Sequence, residues 1–279
     1  MKAKTIEKII NAKFKKFVKT IDDKHVRELV KDNTIVTGGC ITSMLLDEPV
    51  NDFDLYFTDF ETTQAVAEYY VKKMKKSTKF GGDVEVKVTD NLQVEIYIQS
   101  RGYMGKLPSD EDRESEPDFI VMDDKNNKFD PVFASSNAIS LNGDIQLIVR
   151  FYGTPEEIHD NYDFTHCKNY WTSSEKKVVL DKDALECILT KELKYTGSKY
   201  PLCSIFRTRK FIQRGWTINA GQYLKMAMQL NDLDLKDVNV LKDQLTGVDS
   251  TYFLCMISKL EDIKDPTTDY VINLVDEIF

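Results

Sequence analysis

Two acidic residues one position apart, Asp52 and Asp54, lie in the stretch NDFDLYF and are the first candidates for chemistry in this sequence. Side chains at positions i and i+2 of a strand point to the same face, so these carboxylates can act together. Carboxylate oxygens suit Mg²⁺ and Mn²⁺, and such ions are common where phosphoryl or nucleotidyl groups are transferred. The spacing predicts that both aspartates bind a divalent metal. The alternative is that Asp52 caps the strand and Asp54 is an ordinary exposed residue.

A glycine pair, Gly38 and Gly39, follows the short apolar segment 34–37 and precedes a helical segment at 41–46. Without side chains, these glycines let backbone N–H groups approach a phosphate at the start of a helix. Ser43 lies one turn further along and can add a hydroxyl group. Neither motif is specific alone. Together, in a strand–turn–helix–strand frame, they indicate a site for a nucleoside triphosphate and its metal.

The elements around these motifs divide the chain into two parts of different type. The first part carries predicted strands and helices: an N-terminal amphipathic helix, strands at 34–37 and 53–57, a helix at 61–76, a hairpin of strands 84–88 and 92–99, and a strand at 145–151. The second part carries predicted helices: 181–195, 201–214, 220–230, 237–245, 250–261 and 268–279. We predict an α+β fold, with a small mixed or antiparallel sheet and flanking helices over residues 1–175 and an all-helical domain over 176–279.

Composition excludes several classes of protein. The chain has 279 residues, of which 42% are hydrophobic, so it can bury a sizeable core. No apolar run approaches the roughly 20 residues that span a bilayer, and no membrane partner is expected. Five cysteines, without a CxxC pair, indicate a reducing compartment such as the cytoplasm. The net charge of −8 argues against nonspecific coating of nucleic acid, although residues 191–214 are locally basic. His159 and His166 are interpreted as structural residues.

The segment VTGGCITSMLLDEPVNDFDLYFT resembles the signature of the DNA polymerase β-like nucleotidyltransferase superfamily, with Gly38-Gly39 followed by Asp52-x-Asp54. Over about residues 30–220 the layout is similar to the head and neck of the tRNA nucleotidyltransferase and poly(A) polymerase class, and to nucleotidyltransferase-like proteins of bacteriophages. The resemblance implies template-independent transfer of a nucleoside monophosphate from an NTP, with Mg²⁺ or Mn²⁺ as cofactor.

The acceptor implied by this resemblance is the 3′ end of an RNA, in the cytoplasm, or in the host cytoplasm if the protein is phage-encoded. Transfer to a protein or to a small molecule is an alternative. A catalytically silent fold that serves as a binding or assembly module is another. The sequence leaves the oligomeric state and the choice of NTP open.

The resemblance also implies a third metal-binding carboxylate, for which two strands compete. In the hairpin segment FGGDVEVKVTDNLQVEIYI, Glu95 has the matching position and is the predicted third ligand. The other strand, in GDIQLIVRF, carries Gln146 where an acid is expected. If that strand is the true third strand, Asp144 or Asp163 must act instead, or activity is lost.

Two further motifs imply contacts with the nucleotide. Asp163-Phe164-Thr165 resembles the end of the Arg-Arg-Asp-Phe-Thr motif of the class, although its paired arginines are absent here. The segment YPLCSIFRTRKFIQRGWTI resembles the neck helix that follows the head. Arginine forks suit phosphates. The predicted nucleotide-binding residues of these motifs are Asp163, Arg207, Arg209 and Lys210.

Overall fold

The computed structural model describes residues 1–76, 83–99, 129–244, 259–260, 263 and 267–278. The chain forms two compact units, Met1–Asp160 with Cys167–Ala184, and Asn161–His166 with Leu185–Phe279. The boundary predicted after residue 175 falls inside the second segment of the first unit. The predicted fold class, an α+β part followed by a helical part, is confirmed.

The helices and strands of the first unit follow the predicted order closely. Its helices are α1 (Ala3–Val18), α2 (Lys24–Asp32), α3 (Gly39–Leu45), α4 (Phe60–Lys76) and α5 (Pro155–His159). Its strands are β1 (Thr34–Thr37), β2 (Phe53–Phe57), β3 (Asp83–Val88), β4 (Val94–Gln99), β5 (Pro131–Ala134), β6 (Ala138–Leu141), β7 (Ile145–Tyr152), β8 (Tyr170–Thr172) and β9 (Val178–Val179).

Within the described residues these strands form two sheets. A seven-stranded sheet has the order β5-β6-β7-β2-β1-β8-β9, and β3 pairs with β4 in a separate sheet. In the large sheet β2 is antiparallel to β1 and parallel to β7. In register, Asp54 lies opposite Thr37 on one side and opposite Gln146 on the other. Because paired residues of neighbouring strands point to the same face, these three side chains share one face of the sheet.

The other face of the sheet is apolar and belongs to the core. Leu55 and Leu147, which lie opposite each other, are 2% and 0% exposed. They belong to one hydrophobic cluster with Ile10 and Phe17 of α1 and with Tyr70 of α4. This alternation of buried and partly exposed residues follows from the two-residue period of a strand. Burial of the apolar face therefore fixes the register that brings Asp54 to the polar face.

The second unit is helical. Its helices are α6 (Lys182–Thr190), which begins in the first unit, α7 (Pro201–Gln213), α8 (Ala220–Asn231), α9 (Val238–Gln244) and α10 (Thr268–Ile278). Most of the helix predicted over 250–261 lies outside the described residues. Among the helices that the structure describes, none is both long enough and apolar enough to cross a membrane.

Candidate functional site

The turn between β1 and α3 depends on glycine. Gly38 has φ 90° and ψ −154°, a conformation that is essentially restricted to glycine. Its N–H donates to the carbonyl oxygen of Cys167 at 3.2 Å, which ties the turn to the chain that leads into β8. Gly39 begins α3, and a Cβ atom added there would meet no atom within 4 Å. Packing in the described structure therefore does not require a glycine at position 39, and open space lies beside it.

The two acidic residues lie near this turn. Asp54 is the second residue of β2 and is partly buried, whereas Asp52 precedes the strand and is exposed. Burial raises the pKa of the Cys40 thiol well above its usual value, and the carboxylates of Asp54 and Asp52 raise that pKa further. Cys40 lies in the first turn of α3, so both carboxylates act on the start of that helix. Asp54 also pairs with Thr37, the residue before Gly38, so the acidic pair and the glycine pair lie at the same edge of the sheet.

These residues fit a divalent cation. Two carboxylates beside open space can share one Mg²⁺ or Mn²⁺ ion, whose remaining ligands are water and phosphate oxygens. Among the residues that the structure describes, no group of three or more His, Cys, Asp or Glu side chains is arranged to hold a metal ion. An ion held by Asp52 and Asp54 would therefore take several of its ligands from the substrate or from solvent.

Ser43 lies in α3 and is only 6% exposed. Its side chain thus offers little surface to a bound nucleotide in this conformation. The role of Ser43 in holding the triphosphate stays a prediction.

Glu95, the predicted third metal ligand, lies on β4, where it is opposite Lys87 of β3. This hairpin is separate from the sheet that carries Asp54. The structure therefore does not place Glu95 in the strand next to Asp54, and its role as a ligand stays a prediction.

The other strand considered from the sequence, β7, is the direct neighbour of β2. Its residue in register with Asp54 is Gln146. Asp144, which precedes β7, accepts a hydrogen bond from Lys13 of α1 at 3.1 Å and forms an ion pair with it. The acid closest in sequence to β7 is thus engaged with a lysine, and an amide occupies the position beside Asp54.

A buried polar network supports the end of β1. Thr37 Oγ1 donates to the carbonyl oxygen of Asn169 at 3.0 Å and is hydrogen-bonded to His159 Nε2 at 2.8 Å. Because a hydroxyl group has one proton, this arrangement makes Nε2–H the donor to Thr37. A capping box of Thr154 and Glu157 starts the short helix that ends at His159. Sequence reasoning missed this contact, since no local pattern links residues 122 positions apart.

In the second unit, Asp163 and Arg207 are brought together. Arg207 Nη1 donates to Asp163 Oδ2 at 2.9 Å, and the two side chains are 48% and 10% exposed, respectively. Arg209 and Lys210 are exposed on the same helix, α7. Arg207, a predicted nucleotide-binding residue, is thus paired with Asp163 of the Asp-Phe-Thr motif within the second unit.

Replacing Arg207 with alanine is expected to destabilise the second unit by about 1–3 kcal/mol, because it leaves the buried Asp163 carboxylate without this partner. Half of the Arg207 side chain is exposed, so the lower end of this range applies. Urea unfolding monitored by circular dichroism measures the loss. Arg209→Ala, an exposed change of the same kind on the same helix, should stay within about 0.5 kcal/mol. Equal losses in the two variants would contradict this interpretation.

His166 lies in an aromatic cluster of the second unit. The centre of its ring lies 4.4 Å from the ring centre of Trp216 and 4.6 Å from that of Phe211. Burial lowers the pKa of His166 to about 3, and Arg214 lowers it as well. In the first unit, burial and then Lys168 lower the pKa of His159 to about 4. Both histidines are therefore neutral at pH 7, which suits the structural interpretation.

The two histidines are expected to make the protein sensitive to acid. An unfolded histidine has a pKa of about 6.5, so between pH 6.5 and about 4 the unfolded chain binds protons that the folded chain does not. The contribution of the two neutral histidines to the free energy of unfolding is complete above pH 6.5. It falls as the pH drops, by up to about 1.4 kcal/mol per pH unit for each histidine. Urea unfolding at a series of pH values measures the slope.

A variant assigns this slope to its source. His159→Gln should reduce the slope for the first unit, because it removes the buried imidazole whose pKa is lowered there. An unchanged slope in His159→Gln would show that other groups carry the acid sensitivity.

Solved structures with similar folds include CCA-adding enzymes. The "Thermotoga maritima CCA-adding enzyme complexed with tRNA_CCA" has a TM-score of 0.42 and 12% identity, covering 95% of this chain and 53% of that one. "The complex structure of CCA-adding enzyme with ATP" has a TM-score of 0.43 and 13% identity, covering 97% of this chain and 50% of that one.

The sequence has a relative from a phage, as its resemblance to phage-encoded proteins predicted. "Gabija anti-defense 2" of Bacillus phage SPbetaL7 is 22% identical over 247 residues, which make up 88% of this chain and 48% of the relative. The chain thus spans about half the length of this curated relative. Residues 8–191 match the family described as "Gabija anti-defense 2 family protein". This match covers more than half of the 279 residues, and the chain belongs to the Gabija anti-defense 2 family.

Proposed function

We propose that this protein is a metal-dependent nucleotidyltransferase, which transfers a nucleoside monophosphate from an NTP to an acceptor hydroxyl and releases pyrophosphate. The observation that carries the proposal is the pairing of β1 with β2, which places Asp54 opposite Thr37, directly before the glycine turn where Gly39 leaves open space. Transfer of this kind requires little covalent chemistry from the protein, since positioning and charge neutralisation supply most of the catalysis. An acidic pair beside a glycine turn is suited to both tasks.

In this proposal each residue has a defined task. Asp52 and Asp54 hold Mg²⁺ or Mn²⁺ through their carboxylate oxygens. The ion, when bound, supplies positive charge against the triphosphate and the leaving pyrophosphate. Gly38 and Gly39 admit the triphosphate to the backbone N–H groups at the start of α3. Thr37, hydrogen-bonded to His159, holds the end of β1 from which this turn departs.

The proposed acceptor is the 3′ end of an RNA, in the cytoplasm of the infected cell. Exposed basic side chains on α7, including Arg209 and Lys210, support this choice because they can contact RNA phosphates. A second candidate acceptor is a protein. The family name favours it, because a Gabija anti-defense protein is expected to act on a component of that defense, and so does the net charge of −8.

Labelled substrates test the reaction and distinguish the acceptors. The protein is incubated with each α-³²P-labelled NTP, with Mg²⁺ or Mn²⁺, and with total RNA or total protein from host cells. We expect label in RNA that ribonuclease removes, whereas label that only a protease removes identifies the second candidate. Absence of label under every condition contradicts the proposal and favours a catalytically silent binding or assembly module. The same module would give no stabilisation by NTP and Mg²⁺ in a thermal-shift series.

A further inference from the structure

We infer that the site binds a single divalent ion together with its nucleotide, because Gln146 occupies the position beside Asp54 where a further acid would hold a second ion. The inference rests on the proposed function and concerns the ion content of that site. It makes Gln146 a residue that sets the metal content. It departs from the prediction that Glu95 is a third ligand. It also departs from the expectation that a third strand with Gln146 needs Asp144 or Asp163 for activity, because Asp52 and Asp54 can hold one ion without a third acid.

The register of the sheet places Gln146 beside Asp54. On either side of this pair, Phe53 lies opposite Ile145 and Leu55 lies opposite Leu147, so the register is fixed by buried residues. Neighbouring strands are about 4.8 Å apart, and side chains in register share a face. Gln146 is partly buried, as is Asp54. A ligand held by Asp54 on this face is therefore within reach of the Gln146 side chain.

The chemistry of an amide differs from that of a carboxylate at this position. In sites with two ions, the ions lie about 3.5–4 Å apart and repel each other, and anionic ligands offset this repulsion. Asp52 and Asp54 supply two negative charges, whereas Gln146 supplies a neutral oxygen or an N–H donor. The residues that the structure describes contain no cluster of three acidic, histidine or cysteine side chains suited to a metal. The two carboxylates therefore balance the charge of one divalent ion but not the charge of two.

Counting bound Mn²⁺ tests this inference without relying on activity. The chain is saturated with an α,β-methylene NTP, which cannot be transferred, and Mn²⁺ is titrated while free Mn²⁺ is measured by electron paramagnetic resonance. Asp54→Asn gives the baseline for metal carried by the nucleotide alone. We expect about one ion per wild-type chain above this baseline and about two in Gln146→Glu. The transfer rate of Gln146→Glu should rise about tenfold or more over the wild type, since a second ion can activate the acceptor hydroxyl.

A matched variant controls for added charge. Ser140 of β6 lies opposite Gln146, on the same face but two strands from Asp54, about 9–10 Å away. Ser140→Glu should therefore leave the count at about one ion. Gln146→Asp is the second test variant if Gln146→Glu unfolds, and circular dichroism verifies the fold of each.

The other possible ion counts distinguish failure of the inference from failure of the proposed function. Two ions in the wild type overturn the inference and leave the proposed function intact. If Glu95→Gln then reduces the count to one, Glu95 is the third ligand. An unchanged count in folded Gln146→Glu and Gln146→Asp also overturns the inference. No ion above the baseline in the wild type overturns the proposed function as well.

Discussion

Replacement of both Asp52 and Asp54 by asparagine is expected to abolish nucleotidyl transfer, lowering the transfer rate by roughly 10³-fold or more. Asparagine keeps the size of each side chain but removes the negative charge that binds the ion. The protein should remain folded, with a change in unfolding free energy of about 1 kcal/mol or less, because Asp52 is exposed and Asp54 only partly buried. Transfer is measured with α-³²P-labelled NTP, and stability by urea unfolding.

Asp232 and Asp234 provide the matched control for this double variant. They have the same spacing and are exposed in the second unit, after α8. Changing both to asparagine should leave transfer within about twofold of the wild type. Normal transfer in the Asp52/Asp54 double variant would eliminate the proposed site.

The two glycines of the turn should respond in opposite ways to alanine. Gly38→Ala should destabilise the first unit by about 1–3 kcal/mol, because alanine is strained at φ 90° and ψ −154°. Gly39→Ala should leave stability unchanged or raise it by up to about 1 kcal/mol, because alanine favours a helix and its Cβ meets no atom within 4 Å. Its affinity for NTP with Mg²⁺ should nevertheless fall about tenfold or more if the triphosphate fills that space.

Urea unfolding and calorimetric titration with an α,β-methylene NTP measure the two effects. Gly215→Ala serves as the control for Gly38, since Gly215 also has a positive φ, 81°, but lies in the second unit. It should lose stability and keep its affinity for the nucleotide. Full affinity in Gly39→Ala would mean that the triphosphate does not use the open space beside Gly39.

Local patterns were sufficient to predict the order of elements around the acidic pair. The spacing of Asp52 and Asp54, the glycines before them and the alternation in β2 are all short-range signals. For the same reason the helical character of α7 and α8 could be predicted. The fold class follows from these local preferences, because each apolar face needs another element to cover it.

Pairings between distant segments could not be predicted in this way. Strands β4 and β7 both alternate apolar and polar residues, and no local feature decides which of them joins β2. The structure assigns that place to β7, so Gln146 rather than Glu95 lies beside Asp54. The contacts of Thr37 with His159 and of Asp163 with Arg207 likewise join residues far apart in sequence. Such contacts depend on how whole elements pack, which single-sequence patterns do not encode.

The chain passes between its two units three times, after Asp160, after His166 and after Ala184. Neither unit is therefore a continuous piece of sequence. During synthesis the first unit is incomplete until residue 184 has been translated. The ion pair of Asp163 can form only after Arg207 has been translated as well. A fragment that ends at residue 175 would lack β9 and leave β8 as an open edge strand. No single cut of the chain can therefore release both units whole, since a cut after Asp160 removes Cys167–Ala184 from the first unit and a cut after Ala184 removes Asn161–His166 from the second.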